Sequence, residues 1–143
     1  MREVRRSALV PYTVAQMYEL VADVERYPEF LPWCSAATVL ERDGERVVAR
    51  LSLARGRARA SFTTTNRLVP GQFLEMRLLD GPFTALDGRW DFKAIGDAGS
   101  RVDLRVAFET RGSLAGLVLA PVFEGVCNQL VDSFARRARQ VYG

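Results

Sequence analysis

Histidine is absent from this 143-residue chain, and with it goes every mechanism that needs imidazole as base, acid or metal ligand. A Ser-His-Asp triad, a Cys-His pair and most zinc sites are excluded at once. Lysine is almost missing: Lys93 is the only one, beside 19 arginines, 17 acidic residues and a net charge of +3. Arginine grips phosphate and carboxylate with two parallel hydrogen bonds, which leaves an anionic partner such as RNA or a membrane surface open. Genomic base composition and the interspersed acids account for the same count without any partner. The two cysteines, Cys34 and Cys127, stand far apart and in no ligand-like spacing, so they read as reduced packing residues rather than a disulfide. No uninterrupted apolar run reaches the roughly 18 residues of a membrane span. Met1 to Val10 carries Arg2, Glu3, Arg5 and Arg6 among its apolar residues, unlike a signal peptide. The expectation is a soluble, cytoplasmic protein.

What the chain does have is 48% hydrophobic residues, enough at this length for one domain that buries roughly 70% of its unfolded surface without disulfide or metal support. Residues 2 to 10 alternate loosely as a strand ended by Pro11. Thr13 and Gln16 match a capping box, followed at helical spacing by Val14, Met17, Tyr18, Val21 and Val24. Pro28 and Pro32 break that helix and leave an aromatic-rich turn or second short helix.

From Ser35 to Glu109 the period changes to two. Turn signals recur at Asp43-Gly44, Arg55-Gly56, Pro70-Gly71, Gly81-Pro82 and Gly96 to Gly99, predicting consecutive antiparallel strands. Leu86, Gly88, Trp90 and Phe92 share one face of a strand, and Asp87, Arg89, Asp91 and Lys93 share the other. Val102, Leu104, Val106 and Phe108 repeat the inward pattern. The apolar cover is a helix from near Ser113, with Phe123, Cys127, Leu130, Phe134 and Val141 on one face. Pro121 is expected to kink it or to split off a short first helix. No repeat, linker or low-complexity tract divides residues 1 to 143.

One strand, one or two short helices, six more strands and a long helix make an α+β domain in which a curved seven-stranded antiparallel sheet wraps the C-terminal helix. Small inward residues (Ala49, Ala58, Ala60, Gly88) lie beside large ones (Phe62, Met76, Leu78, Trp90, Phe108). That mixture fits an apolar pocket, and it equally fits a helix and sheet packed close together.

Tyr27-Pro28-Glu29-Phe30-Leu31-Pro32-Trp33-Cys34, supported by Leu86 to Phe92 and by Phe134 to Ala138 with Val141-Tyr142-Gly143, resembles the coenzyme Q-binding and ribosome-association toxin family. The resemblance runs over nearly the whole chain. It implies the START-like helix-grip fold of the polyketide cyclase and lipid transport superfamily, and a hydrophobic tunnel between sheet and C-terminal helix. An isoprenoid quinone such as ubiquinone, or another lipid, would occupy that tunnel as ligand rather than cofactor, in support of respiratory electron transport. It also implies an alternative, a toxin that binds the large ribosomal subunit and blocks subunit joining. Cyclase or aromatase activity is the third possibility. Transient contact with a membrane surface, at the periphery of the inner membrane, goes with the quinone reading; DNA is not an expected partner.

The candidate ligand-binding residues are Phe30, Leu31, Trp33, Phe62, Thr64, Met76, Leu78, Trp90, Phe92, Phe108, Phe123, Cys127 and Leu130. Thr64 and Asn66 are the inward polar groups that could meet a headgroup. A cyclase needs positioned acids, bases or oxyanion donors, which the inward faces do not offer, so no catalytic residue and no metal ligand is expected. Phe30 and Trp33 are read either as a lid or as a packed turn. Cys34 is read as a small buried residue. Arg50, Arg55, Arg57 and Arg59 form the densest basic run, with Arg55, Arg57 and Arg59 expected on one face. Arg136, Arg137 and Arg139 gather at the end of the last helix, where cations complement its dipole.

Overall fold

A computed structural model describes residues 1–143. The chain forms β1 (Arg2–Val10), α1 (Val14–Ala22), a 3-10 turn (Val24–Glu29), then β2 (Cys34–Asp43), β3 (Arg46–Arg55), β4 (Ala58–Val69), β5 (Phe73–Asp80), β6 (Phe83–Ile95), β7 (Gly99–Thr110) and α2 (Leu114–Tyr142). The seven strands build one antiparallel sheet in the order β1-β7-β6-β5-β4-β3-β2. The first strand therefore returns to pair with the last, and consecutive hairpins supply the rest.

Local chemistry explains the element ends. Thr13 caps α1 with the full capping box: its hydroxyl accepts from Gln16 N–H, and the Gln16 side chain accepts from Thr13 N–H. Ser113 caps α2 by accepting from Gly116 N–H at 3.1 Å. The β2–β3 and β3–β4 hairpins turn one residue later than their sequence signals, on Gly44-Glu45 and Gly56-Arg57. Both glycines take φ near +60°, which two-residue hairpins demand at the first central position and only glycine adopts without strain.

The hydrophobic alternation is realised in β6 and β7. Leu86, Trp90, Phe92, Val102, Leu104, Val106 and Phe108 are buried, whereas Asp87 and Lys93 meet solvent. They face α2, whose stripe of Phe123, Val126, Cys127, Val131, Phe134 and Ala138 is buried at three- and four-residue spacing. Eighteen residues of α2 are apolar enough to cross a membrane by length and composition; the sheet covers part of them as core, while Leu114, Leu117 and Val118 stay exposed.

Two expectations about α2 are corrected. Pro121 does not split off a short first helix: one helix runs from Leu114 to Tyr142 with Pro121 inside. It stands exposed in the third turn, where the carbonyl freed at Leu117 faces the solvent side of the domain. Val141 is 50% exposed, and Ala138 is the final buried position of the stripe.

Candidate functional site

The Tyr27-to-Cys34 segment is pinned rather than loose. Tyr27 is buried and donates its hydroxyl to the Val21 carbonyl, closing α1 onto the 3-10 turn. Burial, reinforced by nearby Cys34 and Asp23, pushes its phenol well above the usual range, so it stays a neutral donor. Phe30 packs edge-on against Tyr27 and Phe134, with the Arg137 guanidinium 4.9 Å from its ring centroid. Arg137 also reaches Glu29 at 2.8 Å. Of the two roles open to Phe30, the structure places it in the packed turn, clamped to α2. Leu31 is buried beneath the same turn.

Between α2 and the inner sheet face lies an apolar cavity of about 70 Å³. Its sheet side is Leu51, Phe62, Thr64, Met76, Leu86, Gly88, Trp90 and Val106; its helix side is Phe123, Val126, Cys127, Leu130 and Phe134; Tyr27 and Trp33 close one end. Gly88 leaves room on the sheet for the end of the Met76 side chain. A Cβ there would stand 2.8 Å from the Met76 methyl. Trp90 forms the floor, edge-on to Phe134 with centroids 5.2 Å apart and stacked with Phe92. Thr64 is the one aliphatic polar lining residue, and its hydroxyl donates to Asn66 Oδ1 at 2.8 Å. Cys127 is free, and burial pushes its thiol up to about 12. Cys34 is also free and buried, its thiol pushed up to about 11. Neither is a thiolate near neutral pH, so neither is an activated nucleophile.

Of the residues selected from sequence, Trp33, Phe62, Thr64, Met76, Trp90, Phe123, Cys127 and Leu130 meet around this cavity. The others do not. Phe92 faces inward beyond Trp90 and packs against Tyr18 of α1. Phe108 is consumed by an aromatic cluster with Phe83 and Phe123. Leu78 packs at the core margin, and Phe30 and Leu31 belong to the pinned turn. Asn66 is buried and reaches the cavity only through its hydrogen bond with Thr64. Sequence reasoning missed Tyr27, Leu51, Leu86, Gly88, Val106, Val126 and Phe134 as wall residues, although Leu86, Gly88, Val106 and Phe134 stood on the inward faces it identified. Leu51 and Val126 carried the right strand or helix parity to be found.

Trp33 is also the partition between the cavity and a surface groove formed with Pro32, Ala54, Arg55, Gln129 and Ser133. Across that groove Arg55 donates to Gln129 Oε1 at 3.2 Å, tying the β3–β4 hairpin to α2. The expectation that Arg55, Arg57 and Arg59 share one face is therefore corrected. The turn at Gly56-Arg57 intervenes, Arg55 points toward the helix, and Arg59 folds back onto the carbonyls of Gly56 and Ala58.

A curved antiparallel sheet closed around one long helix, with an apolar cavity between them, is the START-like helix-grip architecture. A Streptomyces aromatase/cyclase of known structure superposes on 99% of this chain and 96% of its own with a TM-score of 0.88 at 20% identity, a likeness of fold. The family described as polyketide cyclase / dehydrase and lipid transport matches residues 10–135, and the chain belongs to it. A Pseudomonas aeruginosa protein named ribosome association toxin RatA is 47% identical over 140 residues, covering 98% of this chain and 97% of that protein. More distantly, a Drosophila melanogaster protein named as a mitochondrial coenzyme Q-binding protein is 28% identical over 96% of this chain and 59% of its own length.

Proposed function

We propose that this protein acts on the ribosome, binding the large subunit and opposing its union with the small one, by occupancy rather than catalysis. The observation that carries this reading is the 47% identity, end to end, with a protein named a ribosome association toxin. The cavity supports it from the other side. A void of about 70 Å³ is far below the roughly 300–1,000 Å³ of pockets that enclose ligands, and about half the ~150 Å³ that admits one benzene ring. A quinone ring with its tail enters only if α2 moves away from the sheet. The order in which sequence placed the two functions is thus reversed. Catalysis has little to work with, since the cavity offers one committed threonine hydroxyl, one committed phenol and a protonated thiol.

The test mixes isolated ribosomal subunits with the protein and follows the associated particle on sucrose gradients. Loss of the associated peak, with the protein migrating beside the large subunit, is the expected result. Unchanged association at several-fold molar excess, without co-migration, refutes the proposal.

A hydrophobic ligand remains a second reading because thirteen of the fifteen lining residues are hydrophobic and two of them, Met76 and Leu130, are flexible enough to yield. Each methylene buried there gains about 0.8 kcal/mol. Native mass spectrometry of protein from its own host is the check; recovery of no lipid, with no tryptophan quenching by added quinone, rejects it.

A further inference from the structure

The sheet face turned away from α2 carries a line of arginines that only strand register reveals. Arg46 of β3 pairs with Arg67 of β4, Arg67 with Glu75 of β5, Glu75 with Arg89 of β6, Arg89 with Arg105 of β7, and Arg105 with Arg5 of β1. Five arginines and one glutamate thus lie in a single row across six adjacent strands, a span of about 24 Å at ordinary strand spacing. In three of the five pairs arginine stands directly opposite arginine, which sheets avoid because like charges repel there. Folding does not ask for this arrangement.

The compensating carboxylates come mainly from outside the row. Arg46 reaches Glu41 at 2.9 Å, Arg67 reaches Glu45 at 3.6 Å, Arg89 reaches Asp91 at 3.0 Å and Glu75 at 3.4 Å, and Glu3 serves both Arg5 and Arg105. All five arginine side chains are between 41% and 72% exposed, so these pairs are weak and a phosphate can displace the carboxylates. Phe73, half-buried on the same face, holds the guanidinium carbons of Arg67 and Arg89 at 5.4 and 4.1 Å from its ring centroid. It keeps two of the forks in place before any partner arrives.

We infer that this row is a binding surface for an RNA backbone, and, resting on the ribosome reading above, that it is the face presented to ribosomal RNA. A continuous row of guanidinium forks across the outer face of the sheet fits a linear polyanion, which lays successive phosphates along it. A lipid surface has no such line, and its uniform negative charge would meet the interleaved carboxylates as well. The hairpin arginines that stand out in the sequence do not form this surface: Arg55 pairs with Ala58 and Arg59 with Ala54 at the far end of β3 and β4, outside the row.

The experiment compares the parent protein, R89Q/R105Q and the hairpin control R55E/R57E/R59E, each checked for an unchanged melting profile. Binding is measured over a salt series to three probes: a 16-base-pair RNA duplex, isolated large subunits, and phosphatidylglycerol vesicles. The expected result is a loss of about tenfold or more in affinity for duplex and large subunit with R89Q/R105Q. The log–log salt slope should become shallower by about 2, and the hairpin control should bind as the parent does. Parent-like RNA binding by folded R89Q/R105Q overturns the inference, as does loss in the hairpin control instead, binding of vesicles but not RNA, or binding of neither. Binding of the duplex through the row without binding of large subunits upholds this surface and rejects the ribosome reading alone.

Discussion

Filling the cavity between α2 and the sheet is a sharp test of how much free space it offers. Val106 of β7 and Val126 of α2 are buried and both border it, Val106 with a methyl 3.8 Å from where a Gly88 Cβ would stand. Replacing both with isoleucine adds one methyl from each side while keeping β-branching, so strand and helix preferences barely change. A void of about 70 Å³ costs about 1.7 kcal/mol at ~24 cal/mol per Å³. Two further buried methyls contribute about 0.8 kcal/mol each, or about 1.6 kcal/mol together. The double variant V106I/V126I should therefore be more stable by up to about 1.6 kcal/mol, raising Tm by about 5 °C at this chain length. Urea unfolding monitored by tryptophan fluorescence, with the m-value held constant, reads the change as a shift in midpoint. A loss of about 1 kcal/mol or more would refute the reasoning, since overpacking carries that cost only where no space exists. The same variant separates the two functional readings: ribosome binding should be untouched, and any quinone binding should be lost.

Gly116→Ala should be severely destabilising, by about 2–4 kcal/mol, although alanine normally favours a helix by ~1 kcal/mol. A Cβ there would lie 1.9 Å from the Arg111 carbonyl oxygen, so the cap of α2 must open; thermal denaturation beside Gly125→Ala, where nothing lies within 4 Å and alanine should stabilise by up to ~1 kcal/mol, checks it. Alkaline pH should weaken the fold through Cys127. Its thiol stays protonated up to about 12 when folded while the unfolded thiol ionises near 9, so the unfolded chain binds fewer protons between those values. Stability then falls as pH rises through that window, by about 4 kcal/mol at most. Denaturant titrations at pH 8 and 10.5 should show a smaller alkaline loss in Cys127→Ala than in the parent, and equal losses would remove Cys127 as the cause.

Much of the architecture was legible along the chain because its causes are local. Alternation of Leu86, Trp90 and Phe92 with Asp87 and Lys93 decided which strand face is buried, since side chains on a strand point alternately to opposite faces. The Thr13–Gln16 box marked the start of α1, and the spacing of Phe123, Cys127 and Phe134 marked the buried stripe of α2. Absence of histidine closed whole classes of chemistry before any fold was considered. What tertiary structure alone decided were quantities set by distance between elements. The cavity's volume depends on how near α2 approaches Gly88 and Met76, and whether Phe108 meets the cavity or an aromatic cluster depends on Phe83 and Phe123 arriving from other elements. The arginine row is the clearest case. Arg5, Arg46, Arg67, Arg89 and Arg105 are scattered over a hundred residues, and a shift of one residue in any strand pairing would turn its members to the other face. Charge along the chain is a local property; alignment of charge across strands belongs to register, which hairpin turns and core packing settle together.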